Sequence, residues 1–251
     1  MFELLPELSS GLWVLLAVAA VLVGVSKTAV PGLATISIAI FAATLPARAS
    51  TATLLLLLIL GDVFALVVYR RHADWSTLIR LFPAVLGGVI LGAIFLAFTD
   101  DSWVRRGIGV ILILLMAVTI WQRYRPTVGR GSPMRQRAER IGYGSLSGFT
   151  TMVANAGGAA MSMYLLAARF EVKAFLGTAA WFFAILNVLK VPVSISLGLF
   201  SPGMLLLDLL LAPGVVVGAL LGWWIASRIK QSVFEWAVII ATLAGAVYLV
   251  I

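Results

Sequence analysis

Long stretches without a charged residue constrain the fold of this chain most strongly. Three of them run from Leu81 to Thr99, from Leu209 to Ser227 and from Trp236 to Ile251. A helix needs about 20 apolar residues to cross a hydrocarbon core of roughly 30 Å. The chain as a whole is 62% hydrophobic and 11% charged, whereas an ordinary soluble domain has about 25% charged residues. We therefore predict an integral membrane protein.

The apolar segments are predicted to be helices rather than the strands of a barrel. They are rich in leucine, valine, alanine and glycine and show no sustained alternation of apolar and polar residues, which a membrane barrel requires. The N-terminus, Met1 to Leu8, contains Glu3 and Glu7 and lacks the basic start and cleavage site of a secretory signal, so we expect the first apolar segment to be retained. The expected fold class is an all-α polytopic membrane protein.

The residue types present exclude several kinds of chemistry. The chain has no cysteine, and its single histidine, His72, lies in an arginine-rich loop. An enzyme would need a nucleophile, a base or a metal cluster, so we predict no enzyme, no metal site and no cofactor. The formal net charge is +8, but the basic residues are confined mostly to short loops between apolar segments, which indicates membrane orientation. No nucleic-acid partner is expected.

Two polar, glycine-containing interruptions break otherwise apolar sequence. They are Ser26 to Gly32 and Val153 to Gly158. Interrupted hydrophobic segments at matching places in two halves of a chain indicate the substrate site of a transporter. A non-transporting membrane assembly subunit is the alternative of a different class, but such a subunit would not require two breaks.

The two halves repeat the same spacing of landmark residues. Pro31 stands 17 residues before Arg48, and Ala156 stands 17 residues before Lys173. The later residues that keep corresponding positions are Asp62 and Asn187, Pro83 and Pro213, Gly88 and Gly218, and Gly92 and Gly222. We predict a first transmembrane repeat over residues 1–122, a basic cytoplasmic linker over 123–136 and a second repeat over 137–251. The glycine pairs Gly88/Gly92, Gly144/Gly148 and Gly218/Gly222 are expected to pack helices closely.

Loop charges predict that the repeats are inverted. An arginine-rich linker marks the cytoplasmic side, and each half then contains an odd number of crossings. We favour a broken-helix hairpin plus three transmembrane helices in each repeat, because Leu33 to Leu45 and Ala159 to Ala168 are short for full spans. The alternative, in which the first two segments of each repeat both span, stays open. Hairpin tips that meet inside the protein would surround a central cavity.

Several short motifs resemble those of a known family. They are Gly24 to Gly32 (GVSKTAVPG), Leu45 to Ala49 (LPARA), Asp74-Trp75, Asn155 to Gly158 (NAGG) and Tyr164 to Leu166 (YLL). The chain resembles the TauE/SafE sulfite exporter family, also called the toluene sulfonate uptake permease family, across both halves outside the linker. The resemblance implies transport of sulfite, sulfonates and related organosulfur anions across the bacterial inner membrane.

The candidate substrate-binding residues lie in and near the two breaks. Lys27 would supply a positive charge, since an ionisable residue at membrane depth indicates function. The helix starts at Gly32, Gly157 and Gly158 would present amides to an anion. Ser26, Thr28 and Asn155 would donate hydrogen bonds. The alternatives are an interfacial anchor for Lys27, packing for the glycines and helix caps for the polar residues.

Residues of the third segment of each half complete the candidate site. Asn187 and Lys190 lie one turn apart on a helix, and Asp62 is a candidate for balancing a lysine or carrying a proton. The alternatives are a structural hydrogen bond for Asp62 and snorkelling to the interface for Lys190. Trp181 and Thr178 are candidates for the cavity wall.

The predicted function is transport of sulfite, sulfoacetate or another sulfonate by alternating access. We favour export, because an anion leaving an inside-negative cell gains about 2.3 kcal/mol per charge per 100 mV. Proton-coupled uptake of a sulfonate or another small organic anion is the alternative. The expected partners are the small anion and the lipid bilayer, and both a monomer and a homodimer are compatible with the sequence.

Overall fold

The protein is helical throughout the part that the structure describes. The computed structural model describes residues 8–100 and 133–250, and residues 102, 103, 106, 107, 110, 114 and 117 between them. Within these residues nine α-helices follow one another. They are α1 (Ser10–Thr28), α2 (Leu33–Thr44), α3 (Ala47–Tyr69), α4 (Trp75–Phe98), α5 (Pro133–Ala154), α6 (Gly157–Ala167), α7 (Val172–Ser196), α8 (Pro202–Ala226) and α9 (Gln231–Val250). A 3-10 turn, Arg70–His72, joins α3 to α4.

Five helical segments in the described part are long and apolar enough to cross a membrane. They are Ser10–Thr28, Ala49–His72, Trp75–Phe98, Val172–Ser196 and Pro202–Ala226. The predicted all-α polytopic membrane protein is therefore confirmed. In the two predicted hairpins the second helices, α2 and α6, have only 12 and 11 residues, whereas α1 has 19 residues and meets the length of a span by itself.

Two predicted elements fall largely outside the described residues. One is the last span of the first half, expected to end near Trp121. The other is the basic linker, 123–136, of which the structure describes only the start of α5 at Pro133.

Side-chain caps fix where two of the long helices begin. Asp74 precedes α4, and its carboxylate accepts a hydrogen bond from the backbone N–H of Thr77 at 3.1 Å. Ser201 precedes α8, and its hydroxyl accepts from the N–H of Met204 at 3.4 Å, with Pro202 in the first turn. Such caps satisfy amides that have no partner within the helix.

Glycines bring α1 and α8 into close contact. A methyl group at Gly24 would lie 2.1 Å from the carbonyl oxygen of Val215, and one at Gly218 would lie 2.0 Å from the carbonyl oxygen of Val21. No side chain fits at either position, so the backbones approach as closely as small residues permit. The contacts advance along both helices together, so α1 and α8 run in the same direction.

A second pair, α4 and α5, is packed in the same way. A methyl group at Gly88 would lie 2.1 Å from the carbonyl oxygen of Ser145, and one at Gly148 would lie 2.0 Å from that of Val85. The predicted packing role of the glycine pairs is confirmed. Each of these two glycine seams joins one helix from the first half of the chain to one from the second half.

The helices α3 and α7 pack against each other between the two seams. They run in opposite directions, because Asp62 lies opposite Asn187 while the carbonyl oxygen of Tyr69 lies 2.7 Å from a methyl position at Gly177. Their surroundings differ. The helix α3 also packs along α1 and α8, whereas α7 makes little contact with α4 or α5.

Basic loops gather at one end of the bundle. The indole N–H of Trp181, near the start of α7, donates to the carbonyl oxygen of Arg70 at 3.1 Å. At the same end the hydroxyl of Tyr69 donates to the carbonyl oxygen of Thr28 at 2.8 Å. The end of α8, which precedes Arg228, packs beside Thr28. This clustering agrees with the assignment of these loops to the cytoplasmic side.

Candidate functional site

The two helix breaks lie against each other inside the protein. The first, residues 29–32, separates α1 from α2, and the second, residues 155 and 156, separates α5 from α6. Asn155 has a φ of 55°, a left-handed conformation that asparagine adopts more readily than most residues. A methyl group at Gly158 would lie 3.7 Å from the carbonyl oxygen of Pro31. Folding therefore joins the two interruptions that are far apart in the sequence.

A small cavity lies between the breaks and the central helices. Its volume is about 30 Å³, which is room for about two water molecules. The residues that line it are Ser26, Lys27, Pro31, Ala34, Leu58, Asp62, Thr151, Asn155, Gly158, Ala179, Ala180, Phe183 and Asn187. An ion of four or more non-hydrogen atoms enters this cavity only if its walls move apart.

Lys27 and Asp62 form a buried ion pair in the cavity wall. Lys27 lies in the last turn of α1, and its Nζ is 2.6 Å from Oδ1 of Asp62 in the middle of α3. The other carboxylate oxygen, Oδ2, accepts a hydrogen bond from Nδ2 of Asn187 at 2.6 Å. The ammonium also lies 4.7 Å from the ring centre of Phe183, within range of a cation–π contact. The charge of Lys27 is thus already matched by a carboxylate.

Lys190 is a second buried ammonium with a different partner. Its side chain, on α7, is 1% exposed, and its Nζ donates a hydrogen bond to Oδ1 of Asn155. The amide Nδ2 of Asn155 in turn donates to the carbonyl oxygen of Thr51 at 2.9 Å. Within the described ranges Lys190 has no carboxylate at ion-pair distance. Its partner is therefore a neutral amide.

The buried polar cluster carries an excess of positive charge. The cluster contains two ammonium groups, Lys27 and Lys190, and one carboxylate, Asp62. Buried charges in proteins are normally paired, because removal from water costs several kcal/mol per ion. One positive charge in this cluster lacks a counter-ion among the described residues. An anion in the adjoining cavity would supply it.

The two helix starts at the breaks differ in the amides that they offer. At the start of α2 the N–H groups of Leu33, Ala34 and Thr35 already donate to carbonyl oxygens three residues earlier. At the start of α6 the N–H groups of Gly157 and Gly158 have no partner within the helix, and no other acceptor is found for them in the part of the chain described. Gly158 lines the cavity, so α6 presents the freer helix start.

Ser26 and Thr28 bond to main-chain carbonyl groups. The hydroxyl of Ser26, which lines the cavity, donates to the carbonyl oxygen of Val23 at 2.7 Å. The hydroxyl of Thr28 lies 3.1 Å from the carbonyl oxygen of Gly24 and 2.9 Å from that of Ala219 on α8. Thr28 thus holds α1 against α8, and it is not among the residues that line the cavity.

Four other predicted site residues lie outside the cavity lining. Gly32 directly precedes α2, and Gly157 packs on α5, where a methyl group would lie 2.7 Å from the carbonyl oxygen of Ser147. Thr178 accepts a hydrogen bond from the backbone N–H of Asp74 at 2.9 Å. Trp181 packs against Trp75, with ring centres 5.0 Å apart. The structure therefore places Thr178 and Trp181 at the connection between α3 and α4 rather than in the cavity wall.

Two contributors to the site were not singled out in the sequence. Phe183 lies one helical turn before Asn187 and two before Lys190, so the spacing of one α7 face could have identified it. Thr51 contributes its backbone carbonyl oxygen to Asn155, and no side-chain type signals such a contact.

Comparison with protein families gives a match over nearly the whole chain. Residues 16–249 match the family model described as Sulfite exporter TauE/SafE. No curated protein and no solved structure matches the chain. The family match extends through both halves and includes both helix breaks. The chain therefore belongs to the TauE/SafE family, a family of multi-pass plasma-membrane transporters and not of enzymes.

Proposed function

We propose that this TauE/SafE family member exports a small sulfur oxyanion, namely sulfite or a sulfonate such as sulfoacetate, from the cytoplasm. The observation that carries the proposal is the unmatched positive charge beside a cavity at the meeting point of two helix breaks. Ionisable groups inside a membrane protein are expensive to bury and are retained at substrate and ion pathways. An excess of one ammonium favours an anion as the substrate.

Each residue of the cluster has a proposed role. Lys27 and Lys190 attract the anion, and Asp62 balances one of these two charges. Asn155 and the amides at Gly157 and Gly158 donate hydrogen bonds to its oxygen atoms, since a helix start favours negative charge. Ser26 and Asn187 lie in the cavity wall. Thr28 and Gly32 shape the first break.

We propose that the chain consists of two inverted repeats, residues 1–122 and 137–251, joined by the linker 123–136. The glycine seams support this organisation. Gly148 stands 124 residues after Gly24, and Ser145 stands 124 residues after Val21. Their partners on the other helix of each seam are offset by a constant 130 residues, from Val85 to Val215 and from Gly88 to Gly218. Each glycine contact in one seam thus has a counterpart in the other.

Unequal packing around the central helices supports alternating access. If the repeats are equivalent, the contacts of α3 with α1 and α8 correspond to contacts of α7 with α5 and α4. The former are extensive and the latter are slight, so the two halves adopt different arrangements around the cavity. Exchanging these arrangements would expose the cavity to the opposite side, as in carriers built from inverted repeats. The small size of the cavity agrees with a state that must open before an anion binds.

Membrane energetics favour export over uptake. An anion that leaves an inside-negative cell gains about 2.3 kcal/mol per charge per 100 mV. Export therefore proceeds without a coupling ion, whereas uptake needs one.

Flux through purified protein in liposomes tests the proposed function. We expect sulfite, sulfoacetate or another sulfonate to cross faster than acetate and to respond to an imposed potential. The control variant Lys173→Met removes an exposed lysine from the start of α7 and should transport normally, whereas Lys190→Met should not. Equal flux through protein-free liposomes for every sulfur oxyanion would refute the proposal.

A further inference from the structure

We infer that Asp62 sets the charge of the accepted anion, so that this carrier prefers singly charged sulfur oxyanions to doubly charged ones. The inference rests on the proposed function and names the charge class of the same site. It selects bisulfite and simple sulfonates over sulfoacetate, which also carries a carboxylate.

The charged groups around the cavity are few and come from three helices. Lys27 lies on α1, Asp62 on α3 and Lys190 on α7. The helices α2 and α6, which follow the two breaks, carry no charged residue. The helix α8 contributes a buried carboxylate, Asp208, but this residue does not line the cavity. The cluster therefore has a net charge of one positive unit.

One bound monoanion makes this cluster neutral. A dianion would leave one negative charge without a partner, and such a charge is unfavourable in a buried site of low effective dielectric. The position of Asp62 makes it the controlling residue. Its carboxylate is 1% exposed, lines the cavity and contacts both Lys27 and Asn187 at 2.6 Å. It occupies a place beside Lys27 that the second charge of a dianion would otherwise take.

The test compares methanesulfonate with thiosulfate. These probes share a sulfur atom with three oxygen atoms and differ chiefly in a methyl group against a charged sulfur atom. Their dissociation constants are measured by titration calorimetry on the purified full chain. Wild-type protein should bind methanesulfonate more tightly than thiosulfate. The variant Asp62→Asn keeps the shape of the side chain and raises the net charge of the cluster, so we expect the affinity ratio to shift towards thiosulfate by at least about tenfold.

Two further variants keep the test decisive. Asp208→Asn removes the other buried carboxylate and should leave the ratio unchanged. Lys190→Met lowers the net charge of the cluster and should shift the ratio in the opposite direction, towards methanesulfonate; it decides the matter alone if Asp62→Asn does not fold. An unchanged ratio in both cluster variants, with both probes bound by wild-type protein, would overturn the inference and leave the proposed function standing. Failure of the wild-type protein to bind either probe would instead overturn the proposed function and the inference together.

Discussion

Substituting Gly88 by alanine should separate α4 from α5. The added methyl carbon would lie 2.1 Å from the carbonyl oxygen of Ser145 and 2.8 Å from the amide nitrogen of Phe149. Ordinary van der Waals contact begins at about 3.4 Å, so the shortfall is about 1.3 Å. Both obstructing atoms belong to the backbone and cannot rotate away. The helices must therefore move apart along this seam.

The expected loss of stability is about 3 kcal/mol. Overpacking a well-packed interface typically costs about 1–3 kcal/mol, and a gap of about 1 Å forfeits up to half of each neighbouring dispersion contact. The upper end applies here because α4 and α5 share the most extensive contact in the described part of the chain.

Gly87→Ala is the matched control. A methyl group at Gly87 would have no atom within 4 Å, and it lies in the same helix, so the gain in helix propensity of up to about 1 kcal/mol is common to both variants. Equilibrium unfolding in mixed detergent micelles, followed by circular dichroism, should show Gly88→Ala to be several kcal/mol less stable than Gly87→Ala. Equal stability of the two variants would refute the close seam.

Two further predictions concern buried charge and backbone strain. Lys27→Met should destabilise the protein by about 3–5 kcal/mol because it leaves the Asp62 carboxylate buried without its partner. The double variant Lys27→Met/Asp62→Leu should recover part of that loss, and unfolding of the single and double variants at the same midpoint would contradict the ion pair. Arg169 follows α6 with a φ of 56°, so Arg169→Gly should relieve the strain of a left-handed residue and raise stability by up to about 1 kcal/mol. A lower thermal midpoint for Arg169→Gly than for wild-type protein would contradict this.

The sequence predicted where the helices break, because the signals at the breaks are local. Proline and glycine at Pro31 and Gly32, and the asparagine-glycine run at Asn155, interrupt apolar sequence over a few residues. The structure ends α1 at Thr28 and α5 at Ala154, in agreement with those signals. Helix composition and length were predictable for the same reason.

Partners between helices depend on rotation and tilt, which the sequence does not specify. Glycine spacing indicated close packing, but not that α1 would pair with α8 and α4 with α5. Lys27 and Asp62 were both candidates, yet only the relative rotation of α1 and α3 brings their side chains to 2.6 Å. Trp181 was expected beside the cavity because it lies in the right segment. The face of α7 that carries Trp181 instead meets the connection at Arg70, while Phe183 faces Lys27.

The isosteric variant Asn155→Asp tests the central claim, that excess positive charge in the buried cluster binds the anion. An aspartate at this position would pair with Lys190, which now bonds to the Asn155 amide, and would cancel the net charge of the cluster. Opposite charges about 4 Å apart interact by about 4 kcal/mol at an effective dielectric of 20. Titration calorimetry should therefore show sulfite affinity reduced at least a hundredfold, whereas Lys173→Met, which lowers the charge of the exposed surface by the same amount, should bind like wild-type protein. Wild-type sulfite affinity in folded Asn155→Asp protein would contradict the claim and place the anion site elsewhere.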